Sequence, residues 1–194
     1  MLVVQRNPSR TLVLIVFLGV LLQGCSDSDS PTTPGPTAVG GNVSKGPIAG
    51  ATVNLLVINP DGDPGDVVVG PLTTDVSGNW TGEIPVGGPV GPFLVSSIGG
   101  AYVDESSGAT VFPADDHSQI LYGLYKGNPS LVTPLTHATY HGMVALMQVS
   151  TSRTDAIAQA TASSIAAFGF DFATTVPRNT ATATTAEKQY GALL

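Results

Sequence analysis

The sequence predicts a mainly β protein: an antiparallel β-sandwich of seven to eight strands followed by a C-terminal α-helical segment. Three observations carry that prediction. Between Ala38 and about Thr133 the chain breaks into short apolar runs of strand length, separated by Gly, Pro, Asp and Ser. Charged residues make up only 11% of the 194 residues, whereas Gly and Pro number 23 and 15, a composition that suits an exported all-β module better than a helical bundle. After Thr133 the apolar spacing lengthens from two residues to three and four.

The chain opens on Arg6 and Arg10 with no acid, and Thr11 to Leu22 is almost entirely Leu, Val, Ile and Phe. Crossing a bilayer as a helix takes about 20 apolar residues, so this run is too short for a permanent span and reads as a signal peptide over residues 1–24. The next residues, Leu22-Gln23-Gly24-Cys25, resemble the lipobox of bacterial lipoproteins: an aliphatic residue three before a cysteine and a small residue just before it. That resemblance implies cleavage between Gly24 and Cys25 and a diacylglyceryl group, with palmitate-type acyl chains, on the Cys25 thiol. A thiolate is a far better nucleophile than a serine hydroxyl, and two acyl chains anchor stably where one binds reversibly. The competing reading is an ordinary secretory signal with a chance cysteine. Cys25 is the only cysteine in the chain, so the exported part has no internal disulfide to stabilise it.

Removing Arg6 and Arg10 leaves five of the seven basic residues against 14 acidic ones, a formal charge of −9. This balance argues against nucleic acid as a partner and against electrostatic adhesion to anionic lipid, which leaves the membrane to be engaged through the acyl chains. Residues 25–37 continue as Ser-Asp-Ser-Asp-Ser-Pro-Thr-Thr-Pro-Gly-Pro-Thr after the cysteine, with no apolar pattern. They read as a flexible acidic tether of roughly 35–40 Å when extended. Ser26 rather than Asp after the cysteine resembles the outer-membrane sorting choice of lipoproteins, so the expected location is the outer membrane, on its periplasmic or surface face.

Residues 38–133 are the expected sandwich. Ala51 to Ile58 puts Val53, Leu55 and Val57 on one face and Asn54, Leu56 and Ile58 on the other, apolar enough on both to lie centrally. Asn59 to Asp66 reads as a loop, and Val67 to Leu72 resumes the sheet with Pro71 marking an edge or a bulge. Asp75-Val76-Ser77-Gly78 turns the chain into Asn79 to Ile84. Further strands are expected at Phe93–Ile98, Ala101–Asp104, Ala109–Phe112 and Ile120–Tyr125.

Residues 134–194 read as helical. Thr133 is a candidate N-cap with Pro134 at the first helical position; a second helix is expected from Asp155 to Phe168, capped by Thr154 and closed by Gly169. Thr184-Thr185-Ala186-Glu187 has the form of a capping box opening a third helix. Its apolar face ends on Leu193 and Leu194, which reads as the N-terminal fragment of a longer protein with the helical segment incomplete.

Two further resemblances rest on particular residues. Gly46-Pro47-Ile48-Ala49-Gly50-Ala51-Thr52-Val53, followed by Thr74-Asp75-Val76-Ser77-Gly78-Asn79-Trp80, resembles the carboxypeptidase-regulatory-like β-sandwich, a prealbumin- or Ig-like module. The residue chemistry agrees: Asp75 is placed to accept backbone amides ahead of it, Gly78 to take positive φ, and Trp80 to pack inward. The resemblance implies a fold and a non-catalytic companion role. Gly99-Gly100-Ala101-Tyr102-Val103-Asp104-Glu105, with Val132-Thr133-Pro134-Leu135-Thr136 and Tyr190-Gly191-Ala192-Leu193-Leu194, is similar to a group of bacterial surface lipoproteins in which these segments join a sandwich to helices.

Candidate chemistry is sparse. Asp61, Asp63 and Asp66 lie close together in a Gly/Pro stretch, as the ligands of an oxygen-rich Ca²⁺ loop do, but the further acid and the fixed glycine of an EF-hand are missing, and a plain hairpin turn explains them as well. Asp104-Glu105 and Asp115-Asp116-His117 are weaker candidates, the first reading as a solvated turn and the second lacking a nearby second histidine. His137 and His141, four apart on a helix, share a face as zinc ligands do, but Ala138 stands where H-E-x-x-H has its general base. The chain contains no G-x-S-x-G elbow, P-loop or G-x-G-x-x-G. Catalytic residues and a cofactor are therefore not expected. The expected function is that of a lipid-anchored envelope protein, a spacer or a module for a protein or glycan partner; the alternative is the export and stalk region of a larger lipoprotein enzyme with its catalytic part beyond Leu194.

Overall fold

Among the described residues nine strands precede three helices: β1 (Thr37–Val43), β2 (Thr52–Ile58), β3 (Pro64–Thr73), β4 (Asn79–Ile84), β5 (Phe93–Ile98), β6 (Tyr102–Val103), β7 (Thr110–Val111), β8 (Leu121–Tyr125), β9 (Ser130–Val132), α1 (Pro134–Gln148), α2 (Arg153–Phe168) and α3 (Thr185–Leu193). The structure is a computed structural model that describes residues 35–104, 107–112, 120–149, 151–178 and 180–194. Residues 1–24 and Cys25, Glu105, and Asp115-Asp116-His117 lie outside the described residues.

Seven strands build a sandwich from a three-stranded sheet, β4-β1-β9, and a four-stranded sheet, β3-β2-β5-β8, with β6 and β7 forming a separate ribbon. Among the described residues every strand pairing is antiparallel except one. β9 runs parallel to β1, Gly41–Val43 against Ser130–Val132, a pairing the sequence did not announce because β9 is only three residues long. Gly41 makes this contact possible: a Cβ there would collide with the Ser130 carbonyl on one side and crowd the Trp80 ring on the other.

The inner strands of the four-stranded sheet, β2 and β5, are buried on both faces. Toward the three-stranded sheet, Val53, Leu55, Phe93 and Val95 pack with Val39, Val43, Trp80, Ile84 and Val132. On the opposite face, Leu56, Ile58, Leu94 and Leu124 pack against Tyr140 and Met143 of α1 and Ala156 and Ala160 of α2. The doubly apolar pattern of β2 is thus explained by three layers, sheet on sheet on helices, and the sandwich and helices belong to one compact unit, Pro34–Leu194. Each large side chain buried this way contributes roughly 1.5–3 kcal/mol.

β3 is the edge strand foreseen from Pro71. Its register against β2 shifts three times, and Pro64 begins it where no N–H is needed. Such irregularity protects an exposed edge from pairing with another chain. The Asn59–Asp66 loop is shorter than the sequence suggests. Asn59 N–H donates to Asp63 O and Gly62 N–H to Asn59 O, closing the turn by Asp63, so Asp66 lies within β3. The Asp75–Gly78 turn forms as expected: Asp75 Oδ1 accepts from Ser77 N at 2.8 Å and Asn79 N at 2.9 Å, and Gly78 has φ +77°.

Thr133 caps α1, with Pro134 in its first turn, and Thr184 with Glu187 makes the capping box of α3. α2 starts two residues earlier than expected. Its cap is Ser152, not Thr154, because Ser152 Oγ both accepts from Asp155 N at 3.2 Å and donates to Asp155 Oδ2 at 2.6 Å. Gly169 closes the helix at φ +83°, as the sequence implies.

Candidate functional site

The segments singled out in the sequence converge at the junction of sandwich and helices. Thr133 Oγ1 and Tyr190 OH, 57 residues apart, lie 2.6 Å from each other, both buried. The direction of that bond follows from its neighbours. Tyr190 OH donates its proton to Phe172 O at 3.3 Å, so Thr133 Oγ1 donates to the Tyr190 oxygen while accepting from Thr136 N at 3.1 Å. Burial raises the Tyr190 pKa above the ordinary phenol value, keeping the donor protonated. Phe170 and Phe172 pack on the Tyr190 ring at 5.3 and 5.2 Å, so this side chain joins α3 to the segment after α2 and to the start of α1.

Next to this junction, Gly191 and Leu194 border two small clefts of about 280 and 210 Å³. The first is walled by Ser44, Pro47 and Arg178, the second by Lys45, Tyr102 and Asp104. Lys45 Nζ stands 5.6 Å from the Tyr102 ring centre, and Asp104 Oδ1 accepts from Ser107 N at 2.8 Å and Ser107 Oγ at 2.9 Å. Asp104 is therefore a turn residue.

The calcium candidates do not come together. Asp61 Oδ1 accepts from Asp63 N at 3.0 Å, which is ordinary turn chemistry, and Asp66 is carried off along β3. Among the described residues no group of three His, Cys, Asp or Glu is placed to hold a metal ion.

The turn bearing Asp61 and Asp63 lies over α1, where Tyr140 OH donates to Gly62 O at 3.3 Å. Around it Tyr122, Tyr140, His137 and His141 form a continuous aromatic cluster, with Tyr122 stacked on His137 at 5.7 Å and 19° and tilted against Tyr140 at 4.9 Å and 44°. Burial, with Tyr122 and the two aspartates adding negative charge, pushes the Tyr140 pKa up to about 12. His137 Nε2 and His141 Nε2 face each other at 3.1 Å, a chelate-like spacing. The proton positions decide otherwise. His137 Nδ1 accepts the Tyr122 backbone N–H at 3.2 Å, so its proton sits on Nε2 and is donated to His141. A metal on His137 Nε2 would need that proton moved to Nδ1, against the Tyr122 N–H.

Compared with protein-family models, with curated proteins and with solved structures, the chain matches none. Its chemistry is read from its own residues.

A last feature lies on the outer face of the three-stranded sheet, an open groove of about 720 Å³ lined by Gly40, Thr81, Glu83 and Asn128. Where β9 stops pairing with β1, the Asn128 amide continues the ladder: Oδ1 accepts from Gly40 N at 2.7 Å and Nδ2 donates to Ala38 O at 3.0 Å. Sequence reading found the caps and turns of these regions, and it missed Tyr122, Asn128 and the Thr133–Tyr190 bond. The side chains involved are 15 to 90 residues from their partners, and no local pattern encodes that.

Proposed function

We propose that this chain is a lipid-anchored bacterial envelope protein whose β-sandwich and helices form a non-enzymatic spacer or binding module. The observation that carries the reading is the order Arg6, Arg10, apolar run, Leu22-Gln23-Gly24-Cys25, acidic tether, with Cys25 the sole cysteine. The folded part is consistent with a module that stands on a tether. Several of its polar side chains are engaged in holding the fold: Asp75 in a turn, Thr133 and Thr136 in a cap, Asn128 on a strand edge, His137 on Tyr122.

The carboxypeptidase-regulatory-like resemblance supports the same reading. The residues that carry it have structural tasks: Gly46 and Gly50 at positive φ, Val53 and Trp80 in the core between the sheets. On this reading a protein or glycan partner meets the sandwich surface, where the open groove beside Asn128 lies.

Replacing Cys25 with Ser tests the anchor. The full chain expressed in a Gram-negative host with a clickable palmitate analogue should take up label and fractionate with membranes, and Cys25→Ser should lose the label and leave the membrane fraction. Unchanged retention of the variant contradicts the proposal, and efficient turnover of any substrate by the folded module contradicts its non-enzymatic part.

A further inference from the structure

β8 is the outer strand of the four-stranded sheet, and an outer strand has backbone groups with no neighbouring strand to bond. At Tyr122 both of those groups face side chains from the first turn of α1. Thr136 Oγ1 lies 3.0 Å from Tyr122 O, and His137 Nδ1 accepts the Tyr122 N–H at 3.2 Å. From His137 the bonding continues through Nε2–H to His141 Nε2 at 3.1 Å, one turn further along α1.

This chain of bonds exists in one protonation state only. In neutral His137 one nitrogen accepts and the other donates, and each has its partner. A proton added to His137 enters at Nδ1 and sets two donors against each other at Tyr122. A proton added to His141 at Nε2 does the same between the two rings. We infer that Tyr122, His137 and His141 form an acid-releasable clasp between the edge of the four-stranded sheet and the start of α1, closed while both imidazoles are neutral and opened by protonation.

The ionisable groups around the clasp are His141 and Tyr140 on α1, Tyr122 on β8, and Asp61 and Asp63 at the β2–β3 turn, whose charges act on the two tyrosines. The aspartates would favour a charged imidazole, but burial and the neighbouring His141 dominate and lower the His137 pKa from 6.5. The sign follows. An unfolded or released His137 takes a proton near its ordinary value before the clasped one does, so the stabilisation is complete above about pH 6.5 and is lost as pH falls through the lowered value. On opening, α1 loosens at its first turn while the Tyr140 and Met143 contacts below it persist.

Long-range ¹H–¹⁵N spectra of the folded wild-type chain read the tautomers directly. Near neutral pH, His137 should show an unprotonated Nδ1 and a protonated Nε2, and His141 the reverse. Hydrogen exchange of the Tyr122 amide, corrected for intrinsic rates, should lose protection roughly tenfold per pH unit across the His137 transition. His137→Phe keeps a ring against Tyr122 and removes the acceptor. In that variant, checked by denaturation for a folded sandwich, the Tyr122 amide should exchange fast at every pH, with the acid step gone. A proton on His137 Nδ1 near neutral pH, or Tyr122 protection that ignores the transition, overturns the inference. So does tight Zn²⁺ chelation by both Nε2 atoms with the Tyr122 amide still protected.

Discussion

The two faces of the four-stranded sheet are buried by different chemistry. Between the sheets the contacts are almost purely apolar, from Val39 and Val53 to Trp80 and Val132. On the helix side, apolar contacts from Leu56, Ile58 and Leu94 are joined by polar side chains: Tyr140, His137 and Thr136 meet the backbone of Gly62 and Tyr122, and Thr133 bonds to the Tyr190 hydroxyl. Apolar burial has no dependence on protonation and only asks for shape. The polar seam adds bonds whose strength varies with pH, so the first face fixes the sandwich and the second sets how firmly the helices are held to it.

The difference can be broken most severely at Trp80. Trp80→Ala removes the largest fully buried side chain between the sheets and should cost about 3–5 kcal/mol in urea denaturation, bringing the whole unit toward unfolding. A loss below about 1 kcal/mol would mean that the ring does not carry that core. On the helix side Tyr190→Phe keeps the ring packing and removes the acceptor for Thr133, so it should cost about 1–2 kcal/mol and raise amide exchange chiefly in α3 and the start of α1. The smallest expected effect has the opposite sign. Ser130 is fully buried and its Oγ has no hydrogen-bond partner, so Ser130→Ala should leave stability equal or raise it by up to about 1 kcal/mol. A clear loss would show that the hydroxyl is bonded in solution.

The sandwich was largely legible in the sequence because its signals are local. The alternation of β2, the Asp75–Gly78 turn and the limits of β4 and β5 follow from residues within a few positions of one another. The caps at Thr133 and Thr184 were legible for the same reason. Ser152 and Thr154 are both acceptable caps, and only the reach of Ser152 to Asp155 decides between them. β9 is three residues long, too short for a period, and its parallel pairing with β1 depends on Gly41 across nearly ninety residues of chain. Asp66 shows the same limit, since its place in β3 is set by how the Asn59–Asp63 turn closes. The helix-side seam was the least legible part. Spacing placed His137 and His141 on one face, but what the pair does depends on the Tyr122 amide of a different element.

The proposed function rests on a segment of another kind, residues 1–25, through the order of its residues rather than packing. The sandwich, its helical layer and the acid-sensitive seam acquire a cellular setting only if that cysteine carries lipid. Mass spectrometry of the protein recovered from bacterial membranes tests this most directly. The account predicts an N-terminal peptide that begins at Cys25 and carries the mass of a diacylglyceryl group on its sulfur. A peptide that retains residues 1–24, or one that contains Cys25 as a free thiol, would contradict it.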